Sequence, residues 1–194
     1  MHDARLDRIS DGEGRVDEKT YEELLKLDFG VRFGETFRGL KVLRFEEILR
    51  KFACHTVMNV HLKAKGGQPE RALELIRRSA ELIRKYDCVP YCYFMSGDDA
   101  VQRMAAAEAP DIPRCQGAGS DRWAIVERAI ENGCTKVQLF KPDFDQAMID
   151  RAKAAGIRVN IFWSDDPEEA RRFLEMGADT ILSNEYLLVR SVFE

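Results

Sequence analysis

From residue 53 onward the chain repeats one unit: a short β-like run, a turn, and a longer amphipathic helical stretch. The β-like runs are TVMNVHLK (56–63), VPYCYFM (89–95), IPRCQ (112–116), KVQLFK (136–141), RVNIFWS (158–164) and DTILSN (179–184). The segments between them are far too long for hairpin turns and carry helix signals, so successive strands are expected to run parallel with helical crossovers. In PERALELIRRSAELIRKY, Leu73, Ile76, Ala80 and Ile83 fall on one helical face. Asp98 or Ser96, Ser120, and Asp166 followed by Pro167 are the expected helix openers, and Gly133, Gly156 and Gly177 the expected stops. The pattern predicts an α/β fold of the (β/α)8 TIM-barrel type. With about six parallel strands it is an incomplete barrel, two short of the closed eight.

The first fifty residues read differently. A polar, glycine-containing lead is followed by TYEELLKL, where Thr20 and Glu23 form a capping-box pattern, then by FGVRFGETFRGL and a short helix, RFEEILRKF. We expect residues 1–52 to be a lid or connection, and 53–194 the βα repeats, of a single domain. Acidic residues outnumber basic ones, 34 to 30, and the two signs are interleaved along the helices, which argues against a nucleic-acid partner. There is no apolar run long enough for a membrane span, and the polar lead lacks the apolar segment of a secretory signal, so a cytoplasmic location is expected. The five cysteines (54, 88, 92, 115 and 134) form no CxxC pair, and buried reduced thiols are expected.

Candidate chemistry concentrates at strand ends. Alternation in TVMNVHLK puts Asn59, His61 and Lys63 on one face and Met58, Val60 and Leu62 on the other. An isolated strand histidine is more often a satisfied core residue, and a lysine often snorkels. Three polar side chains in register, at the end of a strand expected to be apolar on both faces, instead point to the mouth of a barrel. By the same alternation Arg114 and Gln116 share a face, and with Gln138 and Lys141 they are candidate donors to a phosphate or a diol. Trp163 is balanced between stacking on a substrate and plain core; Asp166 reads as a helix cap, and Asp165 stays open.

At this point a family resemblance becomes visible. HDARLDRISDGEGRV looks like the His-Asp, Leu-Asp-Arg and Asp-Gly-x-Gly segment of the glycerophosphodiester phosphodiesterases, and KTYEELLKLDFG and RFEEIL continue it in order. TVMNVHLK then stands in the place of that family's Glu-x-Lys strand. RVNIFWSDD stands in that of its Trp-Thr-x-Asn strand, and EMGADTILSNEY in that of its closing Gly-x-Asp-x-Ile-x-Thr-Asp segment.

The resemblance implies a phosphoric diester hydrolase of lipid metabolism that splits a small-molecule glycerophosphodiester into an alcohol and glycerol phosphate. It implies two acid-base histidines and a divalent metal held by carboxylates. By position His2 would protonate the leaving oxygen, Lys63 would face the phosphate, and Asn59, Arg114, Gln116, Gln138, Lys141 and Trp163 would line the substrate site. The family metal is Mg²⁺ or Ca²⁺, and His61, standing where a metal-binding Glu is usual, adds Mn²⁺ and Zn²⁺ as candidates. The family's His-Arg-Gly and Glu-x-Asp strands do not occur here and are expected upstream of Met1, so the family activity is expected while turnover by this chain alone stays open. Open barrel edges would favour a homo-oligomer. The alternative is a non-catalytic phosphate-binding or interaction module with a degenerate barrel.

Overall fold

The structure, a computed structural model, describes residues 3–193 and divides into two compact units, 1–51 and 52–194. His2 lies outside the described residues.

The smaller unit is built from turns held by carboxylates. Helix α1 (Tyr21–Leu24) opens with the capping box read from the sequence: the Glu23 amide donates to the Thr20 hydroxyl at 3.2 Å and the Thr20 amide to the Glu23 carboxylate at 2.7 Å. Asp28 accepts the backbone N–H groups of Gly30, Val31 and Gly39 at 2.8, 3.2 and 2.9 Å, so one side chain organises a glycine-containing loop. Those bonds, that from Gly39 foremost, hold its carboxyl below the usual carboxylate range. Helix α2 (Phe45–Phe52) ends the unit, and an isolated bridge between Arg5 and Arg15 is its one β pairing among the described residues.

The larger unit carries six strands: β1 (Met58–His61), β2 (Cys92–Ser96), β3 (Arg114–Gln116), β4 (Lys136–Phe140), β5 (Arg158–Phe162) and β6 (Thr180–Ile181). All are parallel and pair in sequence order, β1 to β6, as the repeat predicted. The crossovers are α3 (Pro69–Lys85), α4 (Asp99–Glu108), α5 (Ile125–Glu131), α6 (Gln146–Ala154) and α7 (Pro167–Glu175). Asp98 caps α4 by accepting the amides of Ala100 and Val101, and Asp166 caps α7 through the Glu168 amide. Ser120 does not cap α5; Asp121 instead accepts from Trp123 and Ala124 in the turn before it, and α5 starts only at Ile125. At its end, Gly133 adopts the expected left-handed stop at φ 61°.

The core lies between sheet and helices. Val137, Leu139, Val159 and Ile161 pack against Ile125, Ala129, Met148, Ile149 and Phe173, all at most 9% exposed. The sheet is curled. Asn160 on β5 reaches the Tyr93 hydroxyl on β2 at 3.5 Å, although three strand spacings of a flat sheet would hold those backbones about 14 Å apart.

Behind the strand ends a polar network ties the helices to the loops. Arg128 donates to both oxygens of Asp99 at 2.8 to 3.1 Å and to the Gly97 carbonyl at 2.6 Å. Asn132 bridges Asp99 and Gln116 at 3.0 Å each. This draws the β2–α4 and β3–α5 loops together so closely that a Cβ on Gly97 would fall 1.6 Å from the Ala118 carbonyl oxygen. The Arg128 hydrogen bonds, against the opposing effect of burial, hold the Asp99 carboxyl below its ordinary value of 3.8. A depressed carboxyl contributes stability that is complete above that ordinary value and is lost as the pH falls through the lower folded value. Asp99→Asn is therefore expected to cost about 2 kcal/mol near neutral pH and to narrow the gap to wild type in strong acid, as read by urea denaturation at both pH values.

Candidate active site

Parity on β4 and β5 decides what can line a site. Because Val137, Leu139, Val159 and Ile161 face the helices, Gln138 and Asn160, register partners across the two strands, face the opposite, inner side. Tyr93, Met95 and Cys115 are buried together on that side. Their register partners Asn59 and His61 on β1 therefore share the inner face, and the Asn59 amide contacts the Met95 sulfur at 3.4 Å. Lys63 follows β1, at the end of the sheet where parallel barrels place their chemistry. Asn59, His61 and Lys63 are all exposed.

Deeper on the same face the polar groups are buried. Gln138 is 3% and Asn160 2% exposed, and the Oε1 of the first and Oδ1 of the second have no hydrogen-bond partner among the described protein groups. Burial pushes the Tyr93 hydroxyl up to about 12, so it stays protonated at physiological pH. The Lys136 ammonium lies 5.3 Å from the centre of the Tyr93 ring, and its own pKa is lowered by burial. The inner face therefore has a polar floor beneath the Asn59 and His61 rim.

Lys141 and Trp163 come together, but on other terms than the sequence suggested. The Lys141 ammonium bonds the Glu169 carboxylate of α7 at 2.5 Å and stands 4.8 Å from the centre of the Trp163 ring. Ser164 donates to the same carboxylate at 2.5 Å. Burial raises the Glu169 pKa, yet the bonds from Lys141 and Ser164 outweigh it and the carboxyl stays below its usual range. Beside this pair a cleft of about 630 Å³ has Phe144, Phe173 and Met176 as walls and Lys141, Glu169 and Arg172 on its rim. Lys141 is thus engaged toward α7. Trp163 is 41% exposed and stacks on Phe162, the last residue of β5, itself 36% exposed.

Arg114 and Gln116 are not brought to the inner face. The Arg114 guanidinium donates to the Asn132 and Gly133 carbonyls at the end of α5, at 3.1 and 2.7 Å. Gln116, fully buried, belongs to the Asp99 and Asn132 network on the helix side. Both brace the fold, a correction to their expected place at the mouth. Asp165, left open by the sequence, accepts from the Ser183 hydroxyl and the Asn184 amide and fastens the loop after β6.

Tyr93 and Asn160 were missed. The signal for Asn160 was present, since it stands in register with Gln138, but RVNIF reads by itself as an ordinary core strand. A divalent ion is not matched by this donor set: among the described residues there is no group of three His, Cys, Asp or Glu that could hold one, and the exposed end of β1 offers an imidazole and a carboxamide but no carboxylate.

Six parallel strands with helical crossovers, curled until β2 and β5 meet across a polar inner face, define an α/β protein of the (β/α)-barrel class. The family model of the glycerophosphoryl diester phosphodiesterase family matches residues 1–187, and the chain belongs to that family. It is similar to the glycerophosphodiester phosphodiesterase of Bacillus subtilis, 24% identical over 95% of this chain and 68% of that protein. The one from Caldanaerobacter subterraneus is likewise 24% identical, over 95% of this chain and 75% of that protein. Among solved structures, an Oleispira antarctica phosphodiesterase in complex with the product sn-glycerol-3-phosphate has a TM-score of 0.86 at 24% identity, covering 100% of this chain and 78% of that one. A Silicibacter pomeroyi structure gives 0.84 at 20% identity, covering 99% and 77%. These likenesses establish the barrel-type fold. Among the described residues no helix is long and apolar enough to cross a membrane.

The unpartnered Gln138 oxygen makes a test of the floor. With no ligand present, Gln138→Leu should raise stability by about 1 kcal/mol, because a buried acceptor without a donor is removed while the volume is nearly kept. Urea denaturation of the two proteins side by side measures it.

Proposed function

We propose that this chain is a phosphoric diester hydrolase of the glycerophosphodiester phosphodiesterase type, converting a glycerophosphodiester and water to an alcohol and glycerol phosphate in glycerophospholipid metabolism. The observation that carries this is the family match over residues 1–187, joined to the polar inner face at the end of β1. The Lys63 ammonium sits beside the diester and stabilises the negative charge that grows on the phosphoryl oxygens as water attacks. His2 gives a proton to the leaving alcohol oxygen, which would otherwise depart as an unstable alkoxide, and the proton lost by the attacking water passes to solvent or to the product phosphate. Asn59 and Gln138 orient the diol through their carboxamides, and Trp163 offers a flat surface at the rim. Arg114 and Gln116 have no part in it, and Lys141 acts through its contact with Trp163.

The family's divalent metal would need ligands beyond the described residues, with His61 adding one imidazole, which suits Mn²⁺ or Zn²⁺ better than Mg²⁺ or Ca²⁺. No step above passes through it. We further propose a cytoplasmic site of action and self-association through the open edges at β1 and β6, with Val57, just before β1, 61% exposed. The same lack of an acidic ligand set favours a second reading, a phosphate-binding module without turnover.

Release of sn-glycerol 3-phosphate from glycerophosphocholine, followed across Mg²⁺, Ca²⁺, Mn²⁺ and Zn²⁺, distinguishes the two. Turnover that falls by roughly 100-fold or more in His61→Ala and in Lys63→Ala is the expected result. Calorimetric binding of the diester with no product in any metal would replace the hydrolase with the binding module.

A further inference from the structure

At the other end of the sheet from the candidate active site, three cysteines converge. Cys54 lies four residues before β1, Cys88 joins α3 to β2, and Cys92 is the first residue of β2, beside Met58 in register. All are free thiols, Cys54 exposed and the other two buried. The Cys54 thiol is 3.9 Å from the Asp87 carbonyl oxygen, at the peptide bond that leads into Cys88, and the Cys88 thiol is 3.4 Å from the Tyr86 carbonyl oxygen. Cys54 thus reaches the backbone immediately before Cys88, and Cys88 stands four residues before Cys92 in the same connection to β2.

The backbone adds a second observation. Cys54 and Asp87 are the two non-glycine residues of positive φ among those described, at 61° and 52°, a region L-residues seldom occupy. The two uncommon conformations face each other across one contact, which brings the exposed Cys54 thiol to the peptide bond beside the buried Cys88. Neither residue belongs to the inner face or to the Lys141 cluster, so the proposed hydrolysis makes no use of them.

We propose that Cys54 and Cys88 are a redox-responsive pair that closes to a disulfide under oxidation by a low-molecular-weight disulfide such as oxidised glutathione. The exposed Cys54 thiolate attacks the glutathione disulfide, forming a mixed disulfide and releasing one glutathione thiolate. The Cys88 thiolate then attacks the Cys54 sulfur, forming the protein disulfide and expelling the second glutathione. Two protein thiols are oxidised and one glutathione disulfide is reduced to two thiols, and the bond is undone by the reverse exchange. Burial raises the Cys88 pKa, so the second step is the slow one and proceeds faster as the pH rises. The bridge would tie the segment before β1 to that before β2 and so pin the edge strand that carries Asn59 and His61.

The whole chain, incubated with oxidised glutathione, quenched in acid, alkylated and peptide-mapped, decides the matter. The expected product is one intramolecular Cys54–Cys88 linkage, lighter by two hydrogens and reversed by dithiothreitol. It should be lost in Cys54→Ser and in Cys88→Ser and kept in Cys92→Ser. The oxidised form should also unfold at higher urea than the reduced form. A glutathione adduct that persists on Cys54, a Cys88–Cys92 linkage, or no reaction would overturn the proposal, and mapping of the wild-type chain decides among these even if a variant does not fold.

Discussion

The larger unit depends on the curl that carries Asn160 of β5 to the Tyr93 hydroxyl of β2. A flat parallel sheet covered by helices on one side would leave its other side to water. Curling turns that side inward, and Tyr93, Met95 and Cys115 are buried there together. Side chains that a flat sheet would hydrate must then find partners among themselves. Tyr93 does so with Asn160 and Lys136, while the Gln138 and Asn160 carbonyl oxygens do not. The inner face thus combines a rim open to substrate with a floor that has unused hydrogen-bonding capacity, a costly feature for a core and a useful one for a binding site.

Much of this was legible in the sequence, for identifiable reasons. Six β-like runs gave six strands in order because parallel connection leaves few topologies and because capping residues such as Asp98 and Asp166 mark helix starts locally. The face of β1 was legible too, since Asn59 and His61 alternate with apolar neighbours in a run long enough to fix the phase. Arg114 and Gln116 show where this fails. β3 spans three residues, too few for alternation to say which side is inner, and the choice is made by Asp99, Arg128 and Asn132, which reach it from two other helices. A strand's phase determines the destination of every side chain on it, so this one tertiary choice moved both residues from the mouth to the brace. Lys141 failed for a related reason: it lies just past β4, where alternation no longer rules, and Glu169 captured it.

The segments that carry the family resemblance mostly turn out to hold loops and strand ends in place. Asp179 of the GADT segment accepts the Val159 amide at 2.7 Å and the Lys153 ammonium at 2.8 Å, tying the start of β6 to β5. Asp165 gathers Ser183 and Asn184, and Asp28 gathers three amides of its own loop. A carboxylate that accepts several backbone N–H groups cannot be replaced by a shorter, longer or uncharged side chain without freeing those donors, which gives such motifs their fixed form. The resemblance is therefore chiefly a resemblance of frame, and it fits that the fold followed the family more closely than the chemistry at β1.

At β1 the departure has an electrostatic sense. A Glu at position 61 would put a negative charge two residues from Lys63, and a divalent cation could be shared between that carboxylate and others nearby. His61 offers at most a neutral lone pair and, when protonated, a positive charge of the same sign as Lys63. With Asn59 also uncharged, this strand itself offers a divalent cation no carboxylate. A divalent ion would need carboxylates from other segments, so the strand that leads into Lys63 brings no charged metal ligand of its own, as it would where a Glu stands at position 61.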